Sequence, residues 1–156
     1  MRRGLAWVIA ALLPLEALAL SCMEPSIART FQQTSDAAQD YLIVEGRLTL
    51  DVRDLPKTNF GTPSRQPLTL VTAHLTGKSL SASGFNVPFE RDITLEVACF
   101  GPWCGSARNG EEVLAFVKRD GDTYALAIDP CGGDVFANQP KLRRQAMACA
   151  RGGACR

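Results

Sequence analysis

YLIVEGRLTLDV, residues 41–52, carries two patterns in one stretch. It begins as a continuous apolar run and then alternates, with Leu48, Leu50 and Val52 on one face, so it reads as a strand. Gly46 in its middle marks a bulge or a bend, which a small barrel needs in order to close. Downstream, PLTLVTAHLTGKSL (residues 67–80) alternates again. Leu68, Leu70, Thr72 and His74 share one face, and Val71, Ala73 and Leu75 share the other. Phe89 to Phe100 is a third strand, with Ile93, Leu95, Val97 and Cys99 on one face. Glu111–Lys118 and Thr123–Ile128 supply two more, joined by a tight turn at Asp120-Gly121-Asp122.

Between these strands, Arg53 to Pro67 contains three prolines and reads as a long loop. Ser81 to Pro88 and the glycine-rich 101–110 segment also read as loops. Upstream, Ser26 to Ala38 has Ile27, Phe31 and Thr34 at helical spacing. At the other end, Pro140 to Ala150 reads as a helix stopped by Gly152-Gly153, with Leu142, Ala146 and Met147 apolar. The expected class is mainly β: a five-stranded OB-like barrel with an N-terminal helical segment and a C-terminal helix. Closure removes exposed sheet edges, but periodicity alone leaves a sandwich or an open sheet as alternatives.

The first residues decide the compartment. Arg2 and Arg3 precede an apolar run from Leu5 to Leu20 that is broken by Pro14 and Glu16, and small residues then lead to Cys22. This is the pattern of a secretory signal peptide, and the run is short for a membrane span. Residues 1–21 are read as the signal and 22–156 as one domain. Three cuts fit: before Leu20, before Cys22, or at a weak lipobox in which Cys22 carries lipid. The expected location is extracellular or periplasmic, with an envelope-anchored form if Cys22 is lipidated.

Cys22, Cys99, Cys104, Cys131, Cys149 and Cys155 make an even set of six, which suits three disulfides in an oxidising compartment. Loss of Arg2, Arg3 and Glu16 from 17 basic and 16 acidic residues leaves 15 of each. A zero net charge and few strand aromatics speak against nucleic acid, the usual ligand of an OB barrel. The basic run Lys141, Arg143, Arg144 reads as the solvated face of a helix.

Catalysis is not expected. His74 is the one histidine, which leaves little for a histidine relay or a multi-histidine metal site. Cys99 and Cys104 are spaced C-x4-C, unlike the C-x-x-C of redox proteins. Ser106 has no base beside it, and Asp120 and Asp122 are explained by the turn. No metal or cofactor site is assigned. Trp103, on the glycine-rich segment, has two readings: packing beside a disulfide, or an anchor for a partner.

The order of features resembles the inhibitory domain of the tissue inhibitors of metalloproteinases, in the netrin-like group of OB-type barrels, in a bacterial secreted branch. Cys22 lies near the mature start, a helical segment bearing Phe31 follows, Trp103-Cys104-Gly105 sits mid-chain, and Tyr124 lies on a strand running into Cys131. The chain then ends in a helix carrying Ala146-Met147-Ala148-Cys149. The resemblance implies a protein-binding module. Its sharp form is a metalloproteinase inhibitor in which the α-amine and carbonyl of Cys22 chelate the enzyme's zinc and Met23 enters its specificity pocket. It also implies a Cys22–Cys104 bridge; for the remaining four cysteines the expectation is Cys99–Cys131 and Cys149–Cys155. The chain departs from the family in having Cys22-Met23-Glu24 where the inhibitors have Cys-x-Cys, and in lacking their third early cysteine. A lipid-anchored envelope protein with a structural role is the alternative reading.

Overall fold

A computed structural model describes residues 20–58, 64 and 66–155; nearly all of the segment read as a signal peptide lies outside them. In chain order the elements are helix α1 (Ile27–Ser35), strands β1 (Asp40–Leu50), β2 (Leu68–Ser81), β3 (Gly84–Phe100), β4 (Trp103–Cys104), β5 (Glu111–Asp120), β6 (Thr123–Ile128) and β7 (Val135–Ala137), and helix α2 (Pro140–Ala150). Five strands close into a ring. β1 pairs antiparallel with β2 and β5, β2 with β3, and β5 with β6, while β3 and β6 run parallel. The protein is therefore an OB-like barrel flanked by a helix near its N-terminus and one at its C-terminus.

Gly46 and Gly77 face each other across β1 and β2, and the register runs through them without a shift. A Cβ on either would overlap the carbonyl oxygen opposite, so both positions need glycine for the strands to approach this closely. The unshifted register shows no bulge at Gly46. Gly121 sits at φ +57° in the two-residue turn between Asp120 and Thr123, a conformation open to glycine.

The alternating residues fill the barrel. Val44, Leu48, Leu75, Leu95, Val97, Val117 and Leu126 are all fully buried inside it. The continuous apolar runs have a different cause. Residues 113–117 are buried without a break, because β5 has the barrel interior on one face and the helices on the other. Leu114 and Phe116 from β5 and Ile43 from β1 point outward into a second cluster with Ile27 of α1, Phe136 of β7, and Ala146 and Cys149 of α2. This follows the rule that a strand covered on both faces loses its polar alternation.

Both helices begin as their residues dictate. Ser26 caps α1, its hydroxyl accepting the Arg29 N–H at 3.4 Å, and Pro140 opens α2 at a position that has no intrahelical N–H partner to lose. α2 ends at Ala150; Gly152 follows at φ +71°, and the N–H of Gly153 returns to the Ala148 carbonyl at 2.9 Å. α1 stops three residues before Ala38. The segment 81–88 is not a loop. β2 runs to Ser81, Ala82 and Ser83 turn, and β3 starts at Gly84 (φ +123°), giving a β2–β3 hairpin with a two-residue turn.

Two expected disulfides are corrected. Cys22 bonds to Cys131, with Cα atoms 5.4 Å apart, and Cys99 bonds to Cys104 at 4.0 Å. The reason is local. Gly101 (φ +61°) and Pro102 fold the chain back, so β4 pairs with β3 and Cys104 lies directly opposite Cys99. Neither cysteine is then left for Cys22 or Cys131. Cys149 and Cys155 are joined as expected, across the end of α2.

Candidate functional site

The Cys22–Cys131 bridge fastens the chain just before α1 to the loop after β6, 109 residues away in sequence. Cys22 is exposed. Met23 projects beside it with 71% of its surface in solvent, the most exposed of the large apolar side chains among the described residues. Arg29, in the first turn of α1, donates to the Glu24 carbonyl at 3.2 Å and so braces the same segment from its other side. Met23 is thus an apolar tip on a short segment held at both ends.

Next to it opens a cavity of about 370 Å³, lined among others by Met23, Arg29, Phe100, Asp129, Asp134 and Phe136. Asp129 accepts the Cys131 N–H at 2.6 Å, which shapes the turn carrying the bridge. Asp134 lies where β5 and β6 part. Its N–H donates to the Ala127 carbonyl and its own carbonyl accepts the Phe116 N–H, both at 2.9 Å. Burial of the Asp134 carboxyl, reinforced by the charges of Asp129 and Glu96 and opposed by Lys118, raises it from the usual carboxylate range to about 6. Burial and then the Asp134 charge raise the Tyr41 phenol. Lys118 is held up chiefly by its 2.7 Å bond to Glu96.

Trp103, the other contact candidate, is half-buried beside Gly101 in the β3–β4 turn, directly opposite Phe100. His74 stands on the solvent side of β2, with its Nδ1 2.8 Å from Asp92 and its Nε2 3.8 Å from Glu90. Arg143, from the basic run on α2, pairs with Glu45 at 3.1 Å. Among the described residues, no group of three or more His, Cys, Asp and Glu side chains could hold a metal ion. Nor is any described helix long and apolar enough to cross a membrane. The site residues that sequence reasoning did not single out are Phe100, Asp129 and Asp134. The exposed partner of Cys99 on β3 and a D-P-C-G-G-D turn were the available signals.

The fold and site define a disulfide-braced OB-like barrel that presents an apolar tip beside an acidic cleft. No family model, curated protein or solved structure matches the chain. The resemblance to the metalloproteinase inhibitors therefore rests on the residues that suggested it.

Proposed function

We propose that this protein is an exported protein-binding module whose contact point is Met23, at the Cys22–Cys131 bridge. One observation carries the reading: a large apolar side chain, 71% exposed, stands next to a cysteine pinned to the barrel. Pre-ordering a contact residue lowers the entropy lost on binding, and methionine is enriched in protein interfaces. The three disulfides suit an oxidising compartment, extracellular or periplasmic.

The finer form of the proposal is inhibition of a zinc metalloproteinase, with the α-amine and carbonyl of Cys22 on the zinc and Met23 in the specificity pocket. Zinc in a catalytic site keeps a position open to such ligands. This form needs a chain that begins at Cys22 and carries no lipid there. The Cys22–Cys104 bridge that the resemblance implied is absent, so here Cys131 is what holds the wedge.

The test compares the natural protein with one extended by an alanine before Cys22 and with Met23→Gly, against a panel of zinc proteases. The extension moves the α-amine off the metal and should abolish inhibition without lowering thermal stability. Met23→Gly should cost less, at most about 1.5–3 kcal/mol of pocket burial. Equal inhibition by the natural and extended forms would end the zinc mechanism. Intact mass and N-terminal sequencing of the exported protein decide the rest, since a lipid on Cys22 would replace this reading with that of an envelope anchor.

A further inference from the structure

Six large apolar side chains are exposed among the described residues: Met23, Val52, Leu68, Leu70, Val87 and Phe100. Four of them share one side of the barrel. Leu68 and Leu70 are two residues apart on β2 and so share its outer face. Leu68 lies opposite Ala98 of β3, which makes Phe100 its diagonal neighbour, about 7–8 Å away. Phe100 in turn lines the same cavity as Met23. Leu68, Leu70 and Phe100 are 51%, 65% and 45% exposed, and neither helix covers them.

We infer that the contact surface continues from Met23 across Phe100 to Leu68 and Leu70, and that its occupant is an apolar segment of a partner protein bearing basic side chains. The inference rests on the protein-binding reading and names the partner's chemistry. The apolar row is continuous by strand register and cavity lining, as a recognition patch is, rather than a set of scattered surface residues. The charges beside it select the occupant. Glu24 follows Met23, and Asp129 and Asp134 line the cleft, against one guanidinium, that of Arg29. None of the three carboxylates has a cationic side chain within ion-pair distance among the described residues. Glu96, the cross-strand neighbour of Leu70, is already neutralised by Lys118 at 2.7 Å. An acidic or uncharged partner would leave the carboxylates uncompensated, whereas a basic one would be drawn to them and would lose affinity in salt.

The experiment titrates the isotope-labelled exported protein with two short peptides, one alternating leucine with lysine and the other leucine with glutamate. The lysine peptide should shift the amide signals of Met23, Leu68, Leu70 and Phe100 and bind more weakly in high salt. The glutamate peptide should not bind. The double variant Leu68→Ser, Leu70→Ser should lose at least tenfold in affinity, and Asp129→Asn several-fold, with unfolding midpoints checked to show that both variants are folded. Equal binding of the two peptides, or shifts confined to α1 and α2, overturns the inference. So does a concentration-dependent dimer in sedimentation, or binding to anionic phosphatidylglycerol vesicles without peptide binding. If Met23→Gly lowers affinity while the leucine variant does not, the extended surface fails and the Met23 reading stands. If neither variant matters, both fail.

Discussion

The barrel has two outer faces of similar apolar character and opposite fate. Over β1 and β5, Ile43, Leu114 and Phe116 are sealed beneath α1 and α2. Over β2 and β3, Leu68, Leu70 and Phe100 stand in solvent beside Met23. The first face folds against the two helices, and the second is covered by neither of them. Apolar residues on a sheet therefore have two meanings here. Where they interrupt alternation in a continuous run they mark a second internal core, and where they occupy every other position beside a tethered tip they form the surface proposed for a partner.

The contrast can be broken most forcefully at Phe116. It is 1% exposed, with its ring edge-on to Phe136 at 6.0 Å between centroids. Phe116→Ala should cost about 3–5 kcal/mol in denaturant unfolding, through lost burial and the cavity left behind. A cost below about 1 kcal/mol would mean that the helices do not seal this face. Next comes the bridge. Replacing Cys22 and Cys131 together by serine should lose about 2–4 kcal/mol, since a long loop is released in the unfolded chain, and should free Met23 from its place beside Phe100. Unchanged stability together with unchanged binding would show that the tether does not position the tip.

Asp134 lies on the seam between the two faces, so its titration sharpens the comparison. Its carboxyl is raised to about 6 in the folded protein against 3.8 in the unfolded chain. The folded state thus prefers the protonated form. The stability this group contributes is present below about pH 4 and lost as the pH rises through about 6. Asp134→Asn should remove that fall and stabilise the protein at pH 7. That difference corresponds to nearly 3 kcal/mol, reduced to about 1–2 kcal/mol because the group is partly exposed. Unfolding midpoints measured from pH 4 to 8 check both the sign and the window. A variant less stable than the natural protein at pH 7 would contradict it.

Much of this architecture was legible in the residues, and the exceptions are instructive. The alternation of 67–80 and 93–99 revealed the barrel interior, and Pro140 with Gly152-Gly153 bounded α2. The hairpin tip at 81–88 misled because serine, glycine, asparagine and proline usually mark a loop. Here Pro88 lies opposite Lys78, on the part of β3 that precedes its pairing with β6 and so forms a sheet edge, where proline is tolerated. β7 is three residues long, too short for any period. The disulfides were misread for a different reason. Order along the chain suggested Cys22–Cys104, while the Gly101-Pro102 turn had already placed Cys104 opposite Cys99. A local turn signal outweighed a long-range analogy. Of the site, Cys22 and Met23 were readable, but Phe100, Asp129 and Asp134 meet them only because β3 and β6 run side by side.

The smallest expected effect is also the most direct test. Leu68→Ser and Leu70→Ser, made together, should leave the denaturant midpoint nearly unchanged, within about 0.5 kcal/mol for each residue, because both side chains already face water. That result would stand beside a large loss for Phe116→Ala and show one face built for the fold and the other facing solvent, as the proposed contact surface requires. A loss from the leucine pair comparable with that from Phe116→Ala would mean that the second face is covered in the folded protein, and the distinction between the two faces would be wrong.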